Sequence, residues 1–163
     1  MIEMSVEAVR EYLAAFGLEN RISEFAVSSA TVELAAEAVG VIPARIAKTL
    51  SFKYPDGGAL LIVAAGDAKV DNRKFKDKFG FKAKMLTPDE AIELVGHAVG
   101  GVCPFAVKEG VRVFLDISMQ RFSTVFPAAG SSSSAVELNC DEFFKCSAAE
   151  EWIDCCKIPE EVL

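Results

Sequence analysis

The sequence has few of the residues from which metal sites and disulfide frameworks are built. It contains one histidine, His97, and five cysteines, none of them in a Cys-x-x-Cys pair. Structural zinc sites generally take thiolates about two to four residues apart, and disulfide frameworks belong to small secreted chains with paired cysteines. The sequence therefore predicts no disulfide framework and no metal site, and no organic cofactor is expected.

Long apolar runs and a positive overall charge are also missing. No stretch reaches the roughly 20 apolar residues that a membrane-spanning helix needs, and residues 1–5 lack the basic and apolar regions of a signal peptide. The net charge of −7 argues against a protein that binds DNA through a positively charged surface. We therefore expect a cytoplasmic protein with no membrane partner and no DNA partner.

A chain of 163 residues that is 52% hydrophobic can form one domain with a substantial core. Helical spacing, caps and terminal glycines predict helices at 5–17 and 31–39, a helical turn at Pro43, and helices after Asp71, after Thr87 and from Ser147 through Trp152. Strands are predicted at 48–53, 59–65, 81–86, 111–117, 123–127 and 135–138, and the turn residues 54–58 (YPDGG) predict that the first two form a hairpin. This order predicts a single α+β domain, residues 1–163. Its mixed, strongly curled and barrel-like sheet would have six to seven strands and surrounding helices.

Lys48 is the most informative single residue. If 46–52 is extended, Ile46, Lys48, Leu50 and Phe52 share one face, because side chains alternate with a period of two. An ammonium among core side chains is costly unless it meets an anion or reaches the edge of the core. The residues alone leave both a functional site and a snorkelling lysine open.

Two glycine-containing loops are candidates for contact with a ligand. Residues 100–104 (GGVCP) and 130–134 (GSSSS) would let another molecule approach the backbone, whose amides can bind a carbonyl oxygen or a phosphate. An ordinary turn and a mobile loop are the structural alternatives. Cys103 with His97 as its base is a further hypothesis for a nucleophile. Nothing in the sequence orients His97, so an inert core thiol is favoured.

Positive charge is concentrated in one segment of this acidic chain. Residues 69–84 contain seven lysines and arginines against two aspartates. A solvated helix face is the structural interpretation, and a platform for phosphates is the functional one.

Several stretches, taken in order, carry a resemblance to a known family. They are a helix that ends in glycine at 35–41 (AAEAVGV), a lysine-bearing strand at 45–52 (RIAKTLSF), and the apolar strand 60–64 (LLIVA). The Lys-rich helix after Asp71, the loop 100–105 (GGVCPF), the strand 113–116 (VFLD), and 129–130 with 136–138 follow. Together they resemble the YbaK/prolyl-tRNA synthetase-associated editing domain family over residues 20–157.

The resemblance implies a hydrolase that edits mischarged aminoacyl-tRNA, in which Lys48 holds the 3′ end of the substrate. Gly100, Gly101 and Gly130 would line the pocket and present backbone amides to the ester. Lys48, Gly100 and Gly101 form the predicted catalytic set. The predicted substrate-binding residues are Thr49, Cys103, Pro104, Gly130, Ser131 and His97. The predicted tRNA-binding residues are Arg73, Lys74, Lys76 and Lys78. The expected partner is the acceptor end of aminoacyl-tRNA, with an aminoacyl-tRNA synthetase as a further candidate.

The chemistry fits a site without a catalytic triad. An aminoacyl ester is already activated, so positioning, stabilisation of the oxyanion and a placed water suffice. Editing is needed for small amino acids, because one methylene gives a synthetase only about 1–3 kcal/mol of discrimination. Cys103 and Ala106 stand where the family often has Ser and Gly, and both bear on pocket size and polarity. A tRNA- or nucleotide-binding module without turnover and a Cys103-dependent esterase are the alternatives.

Overall fold

The computed structural model describes residues 6–26, 31–98 and 101–159. The helices are α1 (Val6–Ala14), α2 (Val32–Val39), α3 (Asn72–Phe79), α4 (Pro88–Leu94) and α5 (Cys140–Cys146). Short 3-10 turns lie at Glu19–Arg21, Pro43–Arg45 and Ile117–Arg121. The strands are β1 (Ile22–Glu24), β2 (Ile46–Lys53), β3 (Ala59–Ala65), β4 (Lys69–Val70), β5 (Arg112–Asp116), β6 (Phe126–Pro127), β7 (Ser134–Val136), β8 (Trp152–Ile153) and β9 (Cys156–Lys157).

The ends of three helices follow the local signals in the sequence. The Thr31 side chain accepts a hydrogen bond at the start of α2, and Gly40 ends that helix with a φ of 77°. Asp71 caps α3, and Thr87 and Glu90 form a reciprocal capping box at α4. These predicted helix starts are confirmed. The predicted N-terminal helix is present as α1, and Ser5 lies outside the described residues.

The main sheet is mixed and has the strand order β6-β2-β3-β5-β8. Strands β2 and β3 form the predicted antiparallel hairpin, and β5 runs parallel to β3. Two smaller antiparallel pairs, β1-β7 and β4-β9, lie outside the main sheet, and isolated bridges join Phe52 to Met85 and Val125 to Leu138. The predicted α+β class is therefore confirmed.

Strand β3 is buried along its whole length because both of its faces are covered. Leu61 and Val63 belong to a core that also contains residues of α1 and α5. Leu60 and Ile62 belong to a second core, built around Phe75 of α3. A central strand covered on both sides explains the continuous apolar run in the sequence.

The sheet differs from its prediction in size and closure. It has five strands within the described part of the chain, and β6 and β8 lie at its opposite edges, so it is open. Segment 81–86 is not a strand: Met85 alone forms a bridge with Phe52, while Phe81 packs against the Phe75 core. Of the predicted strand 123–127, only Phe126 and Pro127 form a strand, which is β6. The predicted strand at 135–138 is β7.

The last helix lies earlier in the chain than predicted. Asn139 and Glu142 form a capping box at the start of α5, which ends at Cys146. Ser147 lies at the end of this helix, and Trp152 belongs to β8. The prediction of a helix from Ser147 through Trp152 is wrong, because the Asn139 box starts the helix first.

None of the helices in the described residues is long and apolar enough to cross a lipid bilayer.

We predict that Asp116 is a principal polar anchor of the fold. Its buried carboxylate accepts the backbone amides of Ser118 and Cys155, each at 2.9 Å. Asp116→Ala leaves both buried amides without a partner and should lower the free energy of unfolding by about 2–4 kcal/mol in urea denaturation. The matched control is Asp77→Ala, at an exposed helix position, with an expected change within about 0.5 kcal/mol. Equal effects of the two variants would contradict this role.

Candidate functional site

A cavity of about 270 Å³ lies at the outer edge of β2. Its lining comes from β2, the start of α2, α4 and the segment before it, the loop at Val102, and the segments around β6 and β7. The lining residues are Thr31, Val32, Ala35, Ile46, Ala47, Lys48, Thr49, Ser51, Met85, Leu86, Pro88, Ala91, Val102, Phe126, Ala128, Ser134 and Ala135. The cavity has mostly small or apolar walls and contains the predicted lysine.

The cavity exists because the outer edge of β2 is incompletely paired. Strand β6 pairs with β2 only up to Ala47, which lies opposite Pro127. Further along, the amide of Leu86 donates to the Ser51 carbonyl at 3.0 Å. The cavity opens between these two contacts.

Lys48 is half-buried at the wall of this cavity, opposite Ala64 of β3. Its ammonium donates to the carbonyl oxygen of Gly66 at 3.3 Å. No carboxylate in the described part of the chain lies within ion-pair distance of it, and burial lowers the pKa of Lys48 below its ordinary value. Such an unpaired, partly desolvated ammonium is suited to binding an anion or an oxygen-rich ligand.

Gly66 is a site residue that the sequence reasoning missed. A Cβ at this position would lie 2.1 Å from the Pro43 carbonyl oxygen and 2.7 Å from Cγ1 of Val32. Only glycine therefore fits between the helical turn at Pro43 and the start of α2, with its carbonyl at the Lys48 ammonium. The available signal was a Gly-Asp pair directly after the buried strand β3.

Thr49 lines the cavity beside Lys48, as a substrate-binding residue would. Its Oγ1 is buried and has no hydrogen-bond partner among the described residues. An unsatisfied buried hydroxyl is uncommon in a native fold and marks a position that a ligand can complete.

The structure brings the two glycine loops together. A Cβ on Gly101 would lie 2.9 Å from Cα of Ser131 and 3.0 Å from the carbonyl atoms of Gly130, so glycine is required for this contact. The Gly101 amide, however, donates to the Ala98 carbonyl at 3.0 Å. The expectation that this amide is available to an ester is therefore corrected: Gly101 serves the close approach of the loops. Gly100 lies outside the described residues.

The serine run forms its own hydrogen-bonded turn. The Ser134 hydroxyl accepts the amides of Ala129 and Ser131, each at 3.3 Å, and Ser134 also lines the cavity. Gly130 is buried with a φ of 98°, a conformation that favours glycine. Ser131 is bonded within this turn and is not among the cavity-lining residues.

Cys103, Pro104 and His97 are buried behind the cavity wall, where Val102 is the lining residue. Nε2 of His97 lies 2.8 Å from the Phe105 carbonyl oxygen and 3.6 Å from the Cys103 sulfur. That nitrogen carries the hydrogen donated to Phe105, so it cannot accept the thiol proton. Burial raises the pKa of Cys103 to about 12 and lowers that of His97. This arrangement does not activate a nucleophile.

The basic helix α3 is partly neutralised. Lys74 pairs with Asp154 at 2.9 Å, and Lys78 pairs with Glu151. Arg73 and Lys76 are exposed and have no ion pair with the described residues. Of the four predicted tRNA-binding residues, these two therefore carry charge that is available to a phosphate.

A resident metal has no evident site in the described residues, since no cluster of three histidine, cysteine, aspartate or glutamate side chains lies within reach of one ion. Lys48 is the charged group at the cavity wall.

Comparison with protein families matches residues 27–146 to the aminoacyl-tRNA editing domain. The chain is 52% identical over 154 residues to "Uncharacterized protein YwhH" of Bacillus subtilis (strain 168), covering 94% of this chain and 98% of that protein. It is 29% identical over 109 residues to "Putative Cys-tRNA(Pro)/Cys-tRNA(Cys) deacylase EbsC" of Enterococcus faecalis (strain ATCC 700802 / V583), covering 66% of each.

Solved structures share the fold over nearly the whole chain. One, described as "a putative trans-editing enzyme for prolyl tRNA synthetase", matches with a TM-score of 0.85 at 26% identity, covering 96% of this chain and 99% of that chain. Another, described as "hypothetical protein APE2540", matches with a TM-score of 0.82 at 26% identity, covering 92% of this chain and 99% of that chain.

We predict that Cys103 is unreactive in the folded protein. Because burial raises its pKa from 9.0 to about 12, its thiolate fraction at pH 8 falls by about a thousandfold. Iodoacetamide should therefore label the partly exposed Cys140 first and spare Cys103 until the protein is unfolded in urea, as read by peptide mass spectrometry. Labelling of Cys103 in the native state as fast as that of Cys140 would contradict the prediction.

Proposed function

The chain belongs to the aminoacyl-tRNA editing domain family, and we propose that it is a trans-editing hydrolase for mischarged tRNA carrying a small amino acid. The observation that carries the proposal is the half-buried, unpaired ammonium of Lys48 at the wall of a cavity large enough for an aminoacyl group. The deacylase and trans-editing names of the relatives support the same reaction class.

Lys48 holds the 3′ end of the tRNA in this proposal. The terminal nucleotide offers phosphate and ribose oxygens, which are acceptors for an ammonium that bonds to the Gly66 carbonyl alone within the described part of the chain. Because the hydrogen bond to the Gly66 carbonyl fixes the Lys48 rotamer before the substrate arrives, the lysine side chain loses little conformational entropy on binding. Lys48 thus positions the substrate and does not attack it.

The reaction needs one water. Its oxygen bonds to the ester carbonyl carbon, the bond from that carbon to the ribose oxygen breaks, and a proton passes to the leaving oxygen. Free amino acid and tRNA with an intact ribose result. Backbone donors at the site stabilise the negative charge on the carbonyl oxygen, and we keep Gly100 as one candidate donor.

The loops supply the wall of the amino-acid pocket. Gly101 and Gly130 hold the two loops in contact, which sets the position of Val102. We assign Cys103, Pro104 and His97 to the support of that wall, and Ser131 to the turn behind it. A rigid and small pocket excludes the larger correct amino acid and admits a smaller wrong one, which is how a second sieve operates.

The tRNA body meets the basic helix in this proposal. Arg73 and Lys76 contact backbone phosphates, and Lys74 and Lys78 do so only by giving up their ion pairs. The acidic remainder of the chain limits indiscriminate binding of RNA. We expect the protein to act in the cytoplasm with an aminoacyl-tRNA synthetase as a partner.

Lys48→Ala should lower kcat/KM for deacylation by about 10- to 100-fold, the usual effect of losing a charged hydrogen bond. The measurement is the release of amino acid from a panel of tRNAs charged with alanine, serine, threonine or cysteine. Lys145→Ala, at an exposed position of α5, is the matched control and should retain full activity. Cys103→Ala should also retain turnover if it folds.

Each other outcome of this panel has a defined meaning. Absence of turnover by the unaltered protein on all four tRNAs, with tRNA binding intact, would overturn the hydrolase and leave a binding module. Turnover lost in a folded Cys103→Ala variant would favour the thiol-dependent esterase.

Removing the two unpaired cations of α3 should weaken tRNA binding more than removing the two paired ones. For Arg73→Ala with Lys76→Ala, the slope of log affinity against log salt should fall by roughly one per lost phosphate contact, as titrated by fluorescence anisotropy. Lys74→Ala with Lys78→Ala is the charge-matched control and should change the slope less. Equal slopes for the two double variants would contradict the role of the unpaired cations.

A further inference from the structure

The outer backbone edge of β2 has a gap in its hydrogen bonding among the described residues. The Lys53 amide donates to the Lys84 carbonyl at 2.8 Å, and the Ser51 carbonyl accepts from Leu86, so residues 51 and 53 direct their polar groups away from β3. Tyr54, in contrast, donates towards the hairpin turn at Gly58. By the alternation of an antiparallel ladder, Thr49 also directs its N–H and C=O away from β3.

The gap between the contacts on the two sides is centred on Thr49. On one side Ala47 pairs with β6, and on the other side Ser51 pairs with Leu86. Thr49, which lies between them, has no outward backbone partner among the described residues. The cavity fills this gap, and Thr49 lines it. An unpaired N–H and an unpaired C=O therefore face the same cavity from one residue.

An aminoacyl ester carries the complementary pair of groups. Its α-ammonium is a donor and its carbonyl oxygen an acceptor, spaced as in a residue of a polypeptide. In the hydrogen-bonded pair of an antiparallel ladder, two residues exchange two such bonds. A single extended amino acid can thus complete the missing position of the sheet.

We propose that the aminoacyl group of the substrate binds as a one-residue strand opposite Thr49. Its ammonium donates to the Thr49 carbonyl oxygen, and its ester carbonyl accepts from the Thr49 amide. That amide is then a donor to the oxygen on which negative charge develops, in place of the Gly101 amide that already donates to Ala98. This inference rests on the proposed function and names the groups that hold the substrate at its reacting atoms.

This geometry selects one substrate class: esters of amino acids whose α-amino group is unmodified. An acyl group on the α-nitrogen, or a hydroxyl in its place, replaces the charged donor to the Thr49 carbonyl with a neutral and weaker one, and the acyl group also adds bulk inside a partly closed site. Peptidyl-tRNA and esters of hydroxy acids should accordingly be poor substrates, even where their side chain fits the pocket.

Amide hydrogen exchange, followed by NMR, tests the contact at the residue itself. In the free protein, Thr49 should exchange at least about tenfold faster than Leu50, which faces β3, and than Lys53, whose outward amide has a partner. Saturation with 3′-(L-alanylamino)-3′-deoxyadenosine, a non-hydrolysable analogue, should slow Thr49 by at least about tenfold and leave Leu50 and Lys53 unchanged.

A substrate comparison tests the ammonium contact without any change to the protein. Lactyl-tRNA, which has a hydroxyl in place of the ammonium of alanyl-tRNA, should be cleaved with a kcat/KM lower by about tenfold or more. Each rate is divided by the spontaneous hydrolysis of the same ester, because the ammonium also activates the ester chemically.

The outcomes separate this inference from the proposed function. Deacylation that depends on Lys48, combined with a Thr49 amide that is already protected in the free protein or stays unprotected with the analogue bound, would overturn the inference and leave the function. Equal corrected rates for lactyl-tRNA and alanyl-tRNA would do the same. Absence of both deacylation and analogue binding would overturn the proposed function.

Discussion

The antiparallel pairing of β2 with β3 is the constraint on which the rest of the structure depends. It runs from Ala47 opposite Ala65 to Lys53 opposite Ala59. A slip of one residue would move every side chain of β2 to the other face of the sheet. Because β3 is buried on both faces, such a slip is strongly opposed, and Lys48 is held at the Gly66 carbonyl.

The same pairing decides where the sheet stays incomplete. One edge of β2 is fully used by β3, so the other edge must find partners elsewhere in the chain. It finds them at β6 and at Leu86, which come from distant parts of the sequence. These partners do not meet, and the cavity is the space that they leave. In our proposal the substrate supplies the missing pairing, as peptides do when they add to an exposed sheet edge.

In our proposal the site uses backbone groups and one lysine, and the thiols take no part in the chemistry. Burial raises the pKa values of Cys103 and Cys146 to about 12, so neither is a thiolate near neutral pH. The His97 nitrogen nearest to Cys103 is already engaged with Phe105. An activated ester needs no protein nucleophile, because a held substrate, a placed water and donors to the oxyanion provide the main terms of catalysis.

The sequence by itself determined the features that depend on short spacing. The apolar run of β3, the hairpin turn, and the caps at Thr31, Asp71 and Thr87 are local, because each is formed by residues a few positions apart. The strand prediction placed Lys48 on β2, and the alternation of side chains placed it on one face with Leu50 and Phe52. The capping box at Asn139 is equally local, but the possible helix cap at Ser147 led the prediction to a later helix start.

Only the tertiary structure decided the open edge at Thr49, the contact of Gly101 with Gly130, the neutralisation of Lys74 and Lys78, and the burial of Cys103. Each of these joins segments far apart in the chain, and their meeting is set by how the two cores pack against β3.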